Sequence, residues 1–124
     1  MKRRQTERSL QVAVCQYLTH ALPPGCWFTA IPGGNRGMTT TPGYVSGTPD
    51  ILIVRSLPEP RWQCLYWIEL KAAKGRESIH QQNCRHSLEG IGCGVSLCRS
   101  VDDVEQTLLG WGITLRATVS RRAA

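Results

Sequence analysis

The chain has 124 residues, of which 41% are hydrophobic and 19% charged, with 12 Gly and 7 Pro. This composition excludes a disordered polymer, a collagen-like repeat and a heptad rod, and predicts one globular domain that buries roughly two thirds of its unfolded surface. Lys and Arg total 15 against 9 Asp and Glu, a net charge of +6, which in so small a chain favours a polyanionic partner, nucleic acid foremost.

In chain order, Leu10, Val14, Tyr17, Leu18 and Ala21 recur at helical spacing until Pro23-Pro24-Gly25 stops them, predicting a helix over 6–20. Residues 27–31 are aromatic and apolar between turn signals and predict a short strand. The 18 residues from Pro32 to Pro49 are rich in Gly, Thr and Pro and read as a substrate-facing loop. Ile51-Leu52-Ile53-Val54 is a continuous apolar, mostly β-branched run of the kind covered on both faces, which places it in the sheet centre. A proline-bearing turn over 57–61 and a strand over 64–71 complete a hairpin. Ser78 with Gln81 forms a capping-box signature for a helix to about Glu89, followed by a strand over 94–98 and a short helix with Asp102 and Asp103 in its first turn. Residues 113–119 alternate at period 2, as an edge strand, a partner-ordered segment or a frayed tail would. The order predicts an α/β fold, a central mixed β-sheet flanked by α-helices.

The cysteines, at 15, 26, 64, 84, 93 and 98, form no CxxC pair and sit mostly in apolar runs, predicting reduced, buried thiols. A composite zinc site from His80, Cys84, Cys93 and Cys98 is the alternative, because His80 and Cys84 stand one helical turn apart. Lys2-Arg3-Arg4 begins like a secretory signal, but Gln11 and Gln16 interrupt the apolar stretch that would have to follow. With no run as long as a membrane span, a reducing cytoplasm is expected.

Two acids and a lysine carry the chemistry. Glu69 and Lys71 share one face of their strand while Leu70 points the other way. If the two hairpin strands are antiparallel neighbours, Asp50 comes close to Glu69. Converging carboxylates repel, raising one pKa, unless a hard cation such as Mg²⁺ sits between them. Such a site can hydrolyse phosphodiesters, with Lys71 orienting the attacking water or stabilising developing charge. The competing reading is an exposed Glu–Lys pair beside a Pro-Asp turn.

Gly47-Thr48-Pro49-Asp50, Ile68-Glu69-Leu70-Lys71, Gly75-Arg76, Ser78-x-x-Gln81 and Cys98-Arg99-Ser100-Val101-Asp102-Asp103 together resemble the VRR-Nuc domain of the PD-(D/E)xK nuclease superfamily, in a stand-alone form. The likeness covers about residues 6–109, and Gly33-Gly34-Asn35-Arg36 is similar to the family's glycine-rich loop. Ile79 departs from the proline often found there, and the loop over 32–49 is shorter than in many members. The resemblance implies a restriction-endonuclease-like core, Asp50 and Glu69 as ligands of Mg²⁺ or Mn²⁺ with the Leu70 carbonyl as third donor, and Lys71 as the catalytic lysine. It implies a site role for Glu7, on the stripe of Leu10, Val14 and Leu18, whose other role is to complement the helix dipole. Gln81 likewise matches the family's helix glutamine, a role that competes with the capping box for one side chain.

Arg36, Lys74 and Arg76 are expected to meet DNA phosphates before the terminal arginines do, and no base-reading helix is evident, which favours structure over sequence selectivity. The expected activity is a metal-dependent endonuclease acting on branched or flapped DNA. Symmetric cutting of a four-way junction would need a homodimer. The rivals are a non-catalytic DNA-binding subunit of the same fold and a zinc-bound interaction protein. His80 and His86 are expected to be ordinary helix-surface residues.

Overall fold

Helix α1 spans Glu7–Ala21 and opens with Thr6, whose hydroxyl accepts from the Ser9 amide while the Ser9 side chain returns a bond to the Thr6 amide. The computed structural model describes residues 6–32, 42–57 and 63–119. Leu10, Val14, Leu18 and Ala21 form the buried stripe of α1, as the helical spacing requires.

Four strands follow the order β1 (Cys26–Ala30), β2 (Ile51–Ser56), β3 (Gln63–Leu70) and β4 (Gly94–Cys98) across one sheet. The β1–β2 and β2–β3 pairs are antiparallel, and β3–β4 is parallel because helix α2 (Ile79–Gly90) intervenes as a crossover. Helix α3, Val101–Gly110, starts at Ser100, whose hydroxyl accepts from the Asp103 amide.

Alternation along the strands divides the sheet into two unlike faces. Ile51, Ile53, Tyr66, Ile68 and Leu70 are buried on the first, against Leu10, Val14 and Leu18 of α1 and Val104 and Leu108 of α3. Leu52, Val54 and Trp67 on the second are only half-buried and Leu65 is exposed. The expectation that β2 is covered on both faces therefore holds for one face, since α2 covers only part of the other.

Gly94 marks a close approach: a Cβ there would lie 2.8 Å from the Tyr66 ring and 2.9 Å from the Trp111 indole nitrogen. Those two rings stack with centroids 4.5 Å apart.

Residues 113–119 do not form the edge strand that their alternation suggested. They run as an extended strap, with Ile113 buried, that ties α1 to α3. The Arg116 amide donates to the Ala21 carbonyl, its Nε to the Leu22 carbonyl, the Tyr17 hydroxyl to the Ala117 carbonyl, and the Val119 amide to the Glu105 carboxylate. Period-2 burial shows that one side faces apolar surface, but does not require a strand neighbour. The terminal charges Lys2, Arg3, Arg4, Arg121 and Arg122 lie outside the described residues.

Candidate active site

The antiparallel register that sets Ile51 opposite Ile68 continues one step to bring Asp50 opposite Glu69. On the other side the Ile31 amide donates to the Asp50 carbonyl at 2.7 Å, so the β1–β2 ladder also reaches this row. Asp50 Oδ2 accepts the Leu70 amide at 2.7 Å, which locks the carboxylate against the end of β3. The chain arrives at Asp50 through Gly47, whose φ of +88° and a virtual Cβ only 2.3 Å from the His80 carbonyl group leave room for no side chain. That glycine lets the loop before Asp50 rest on the first turn of α2.

Glu69 is 3% exposed. Its Oε1 accepts from Gln81 Nε2 at 2.7 Å, whereas Oε2 is buried with no hydrogen-bond partner. Burial, and then the adjacent Asp50 carboxylate, push the Glu69 carboxyl up to about 8, with Lys71 pulling the other way. Burial also raises Asp50, against the lowering effect of the Leu70 amide. Lys71 Nζ stands 3.8 Å from Glu7 Oε1, so acids on three elements surround one largely buried lysine.

Gln81 does both things that seemed to compete for it. Its Oε1 accepts the Ser78 amide at 2.8 Å while its Nε2 reaches Glu69. A carboxamide carries an acceptor and two donors on opposite atoms, so the cap and the site use different ends. A cleft of about 230 Å³ between Asp50, Glu69 and the start of α2 is lined also by Glu7, Tyr44, Thr48 and His80. A larger one of about 650 Å³ lies on the other side of Asp50, against Arg8 and Gln11 of α1.

These donors suit a small hard cation, because two carboxyl groups this close and this buried resist ionising together, and either a proton shared between them or a cation must supply the positive charge. Among the described residues no group of three or more His, Cys, Asp or Glu side chains is placed to hold a metal. This removes the zinc site considered from His80, Cys84, Cys93 and Cys98, and leaves Asp50 and Glu69 as the candidate cation-binding pair. All six cysteines are free.

No family model matches the chain and no curated protein matches it. Two solved structures do. One, described as a VRR_NUC domain protein, superposes with a TM-score of 0.65 at 15% identity over 86% of this chain and 88% of its own. The other, described as a VRR_NUC domain, does so with a TM-score of 0.54 at 18% identity over 86% of this chain and 97% of its own. The chain has the VRR_NUC fold.

In this VRR_NUC fold the structure brings together Asp50, Glu69, Leu70, Lys71, Gln81 and Glu7 at one end of the sheet. Lys74 and Arg76 are exposed on the loop leaving Lys71, and neither pairs with an acid among the described residues. Arg36 and the Gly33-Gly34-Asn35 loop lie outside the described residues. His80 and His86 are exposed on α2, as expected, and His80 also lines the cleft.

Sequence reasoning missed the role of Arg99. Its Nη1 donates to the carbonyls of Ala72 at 2.7 Å, Ala73 at 3.3 Å and Gly75 at 2.7 Å, clamping the turn that follows Lys71. The signal was an arginine directly after an apolar strand, within the segment Cys98 to Asp103 that carries part of the family resemblance.

Proposed function

We propose that the protein is a Mg²⁺- or Mn²⁺-dependent DNA endonuclease. The observation that carries this reading is the buried, unpartnered Glu69 Oε2 beside Asp50 in a chain with the VRR_NUC fold. Asp50, Glu69 and the Leu70 carbonyl would hold the cation, which supplies Lewis acidity toward the phosphodiester and its attacking water.

The chain's own groups do the rest. Gln81 fixes the Glu69 carboxylate through a donor that cannot itself ionise. The Leu70 amide holds Asp50 in one rotamer. Lys71, 3.8 Å from Glu7, places a proton donor and a positive charge where negative charge develops on the phosphate. Lys74 and Arg76, with Arg36, grip the flanking phosphates and set position without reading sequence. Branched or flapped DNA is the proposed substrate, and a homodimer the proposed assembly, because symmetric cutting of a four-way junction needs two sites related by a twofold axis. Free thiols and the lack of any helix, among the described residues, long and apolar enough to cross a membrane support a reducing, cytoplasmic setting.

The test is a cleavage panel of linear, flapped and four-way DNA with Mg²⁺, Mn²⁺ or EDTA. Asp50→Asn, Glu69→Gln and Lys71→Ala should each abolish cleavage while sparing DNA binding and the folded state. Full metal-dependent activity in Asp50→Asn would refute the assignment. Sedimentation with and without four-way DNA reads the assembly.

A further inference from the structure

The acidic row is the last of three on the second face of the sheet. Registered across β1, β2 and β3 are Trp27, Val54 and Leu65, then Thr29, Leu52 and Trp67, then Ile31, Asp50 and Glu69. An apolar, aromatic surface therefore leads up to the carboxylates. Helix α2 does not seal it, for none of its residues is buried.

Between the helix and the sheet lies a cavity of about 440 Å³, bordered by Trp67, by His80, Asn83 and Cys84 from α2, and by Ser46 and Thr48. Ser46, Thr48 and His80 also line the acidic cleft, so the two spaces share a wall. Among the described residues no Lys, Arg, Asp or Glu borders the cavity, so they offer an anionic group no counter-charge there. The Trp67 indole N–H is buried without an acceptor, where a buried donor is normally paired.

We propose that this cavity is a nucleobase subsite, taking one unpaired base of the strand whose phosphodiester lies at Asp50 and Glu69. The proposal rests on the nuclease reading for the position of that phosphodiester. Trp67 stands two residues from Glu69 on the same face, about 7 Å along the strand, so a base next to the reacting phosphate can reach it. The chemistry fits a base better than a sugar or phosphate: an aromatic surface for stacking, and a few hydroxyl, carboxamide and imidazole groups for the polar edge. Such a subsite also gives a physical source of structure selectivity, because a base at a flap or branch point costs least to unstack.

The test uses the whole protein in EDTA, where no metal-dependent cleavage intervenes. A single-stranded oligonucleotide of about ten thymidines is compared with an abasic strand of equal length and charge. Affinity is read by anisotropy, and the Trp67 indole resonance, assigned with Trp67→Phe, is followed by NMR. The thymidine strand should bind roughly tenfold tighter than the abasic one, the low end of what one base on an aromatic ring contributes, and should shift the Trp67 resonance. Ser87→Trp, a change at an exposed helix position bordering the cavity, should bring the thymidine strand down to the abasic affinity. Equal affinities in the unaltered protein, or a stationary Trp67 resonance while both strands bind, would overturn the subsite. So would a Trp67 resonance that moves on diluting the protein alone, which would assign the cavity to a second copy. Loss of the nuclease reading by itself looks different: base-dependent binding persists, and no cleavage appears when Mg²⁺ or Mn²⁺ is added. Failure to bind either strand overturns the subsite, while the nuclease reading then stands or falls on cleavage of branched DNA with Mg²⁺ or Mn²⁺.

Discussion

Gln81→Glu separates the two tasks of one side chain. At the helix end, a glutamate at the third helical position keeps the capping box with Ser78, so α2 stays capped. At the other end, the donor that meets Glu69 Oε1 at 2.7 Å is replaced by an acceptor. A hydrogen bond to a charged group contributes about 1.5–3 kcal/mol, which at roughly 4 °C per kcal/mol for a domain of this size is about 6–12 °C in Tm. The deficit must depend on pH. Below about 8 the Glu69 carboxyl carries a proton, shared with Asp50, so the substituted carboxylate meets a neutral group; above that value two anions face each other. Calorimetry in EDTA should therefore show a small Tm gap from the unaltered protein near pH 5.5, widening to the full deficit near pH 9. Gln81→Ala should behave otherwise, because it also loses the cap, worth about 1 kcal/mol, and so shows a deficit at every pH. A gap for Gln81→Glu that does not change with pH, or that is larger in acid, would refute the placement of Gln81 against Glu69.

Glu69 should also shape the pH dependence of the metal-free protein. Its native carboxyl is raised from 4.5 to about 8, so its contribution to stability is full below the ordinary carboxyl range and is lost as pH rises through about 8. Glu69→Gln should flatten that decline in EDTA and melt higher than the unaltered protein near pH 9; a steeper decline would contradict it. Gly47→Ala forces a Cβ against the His80 backbone at a positive φ, and should cost about 3 kcal/mol in chemical denaturation. Arg99→Ala releases three carbonyls around the Lys71 turn. It should speed amide exchange at Gly75 by at least about tenfold, and Arg99→Lys should restore part of the protection, because all three bonds come from the single nitrogen Nη1 and an ammonium carries three donors.

Much of the fold was legible because its signals are short-range. The Ser78 and Gln81 capping pair, the Pro23-Pro24-Gly25 stop and the run from Ile51 to Val54 each act within a few residues, and α2 and β2 appear where those patterns place them. The strands β1 and β3 begin and end one residue earlier than their patterns suggested. The segment 113–119 was misread because alternation reports which side is apolar, and an extended strap over two helices alternates as a strand does.

The candidate site divides along the same line. From the sequence alone come the shared face of Glu69 and Lys71, the position of Asp50 at the start of a buried strand, and the helix caps, all consequences of backbone periodicity. Only the tertiary structure could decide that the Leu70 amide bonds Asp50, 20 residues away, that Glu69 is buried with one oxygen unpartnered, that Gln81 serves cap and carboxylate together, and that α2 leaves a gap over Trp67. Local pattern encodes dihedral preference and facing, whereas the desolvation of a charge and the partner of each polar atom are set by neighbours that chain folding alone brings near.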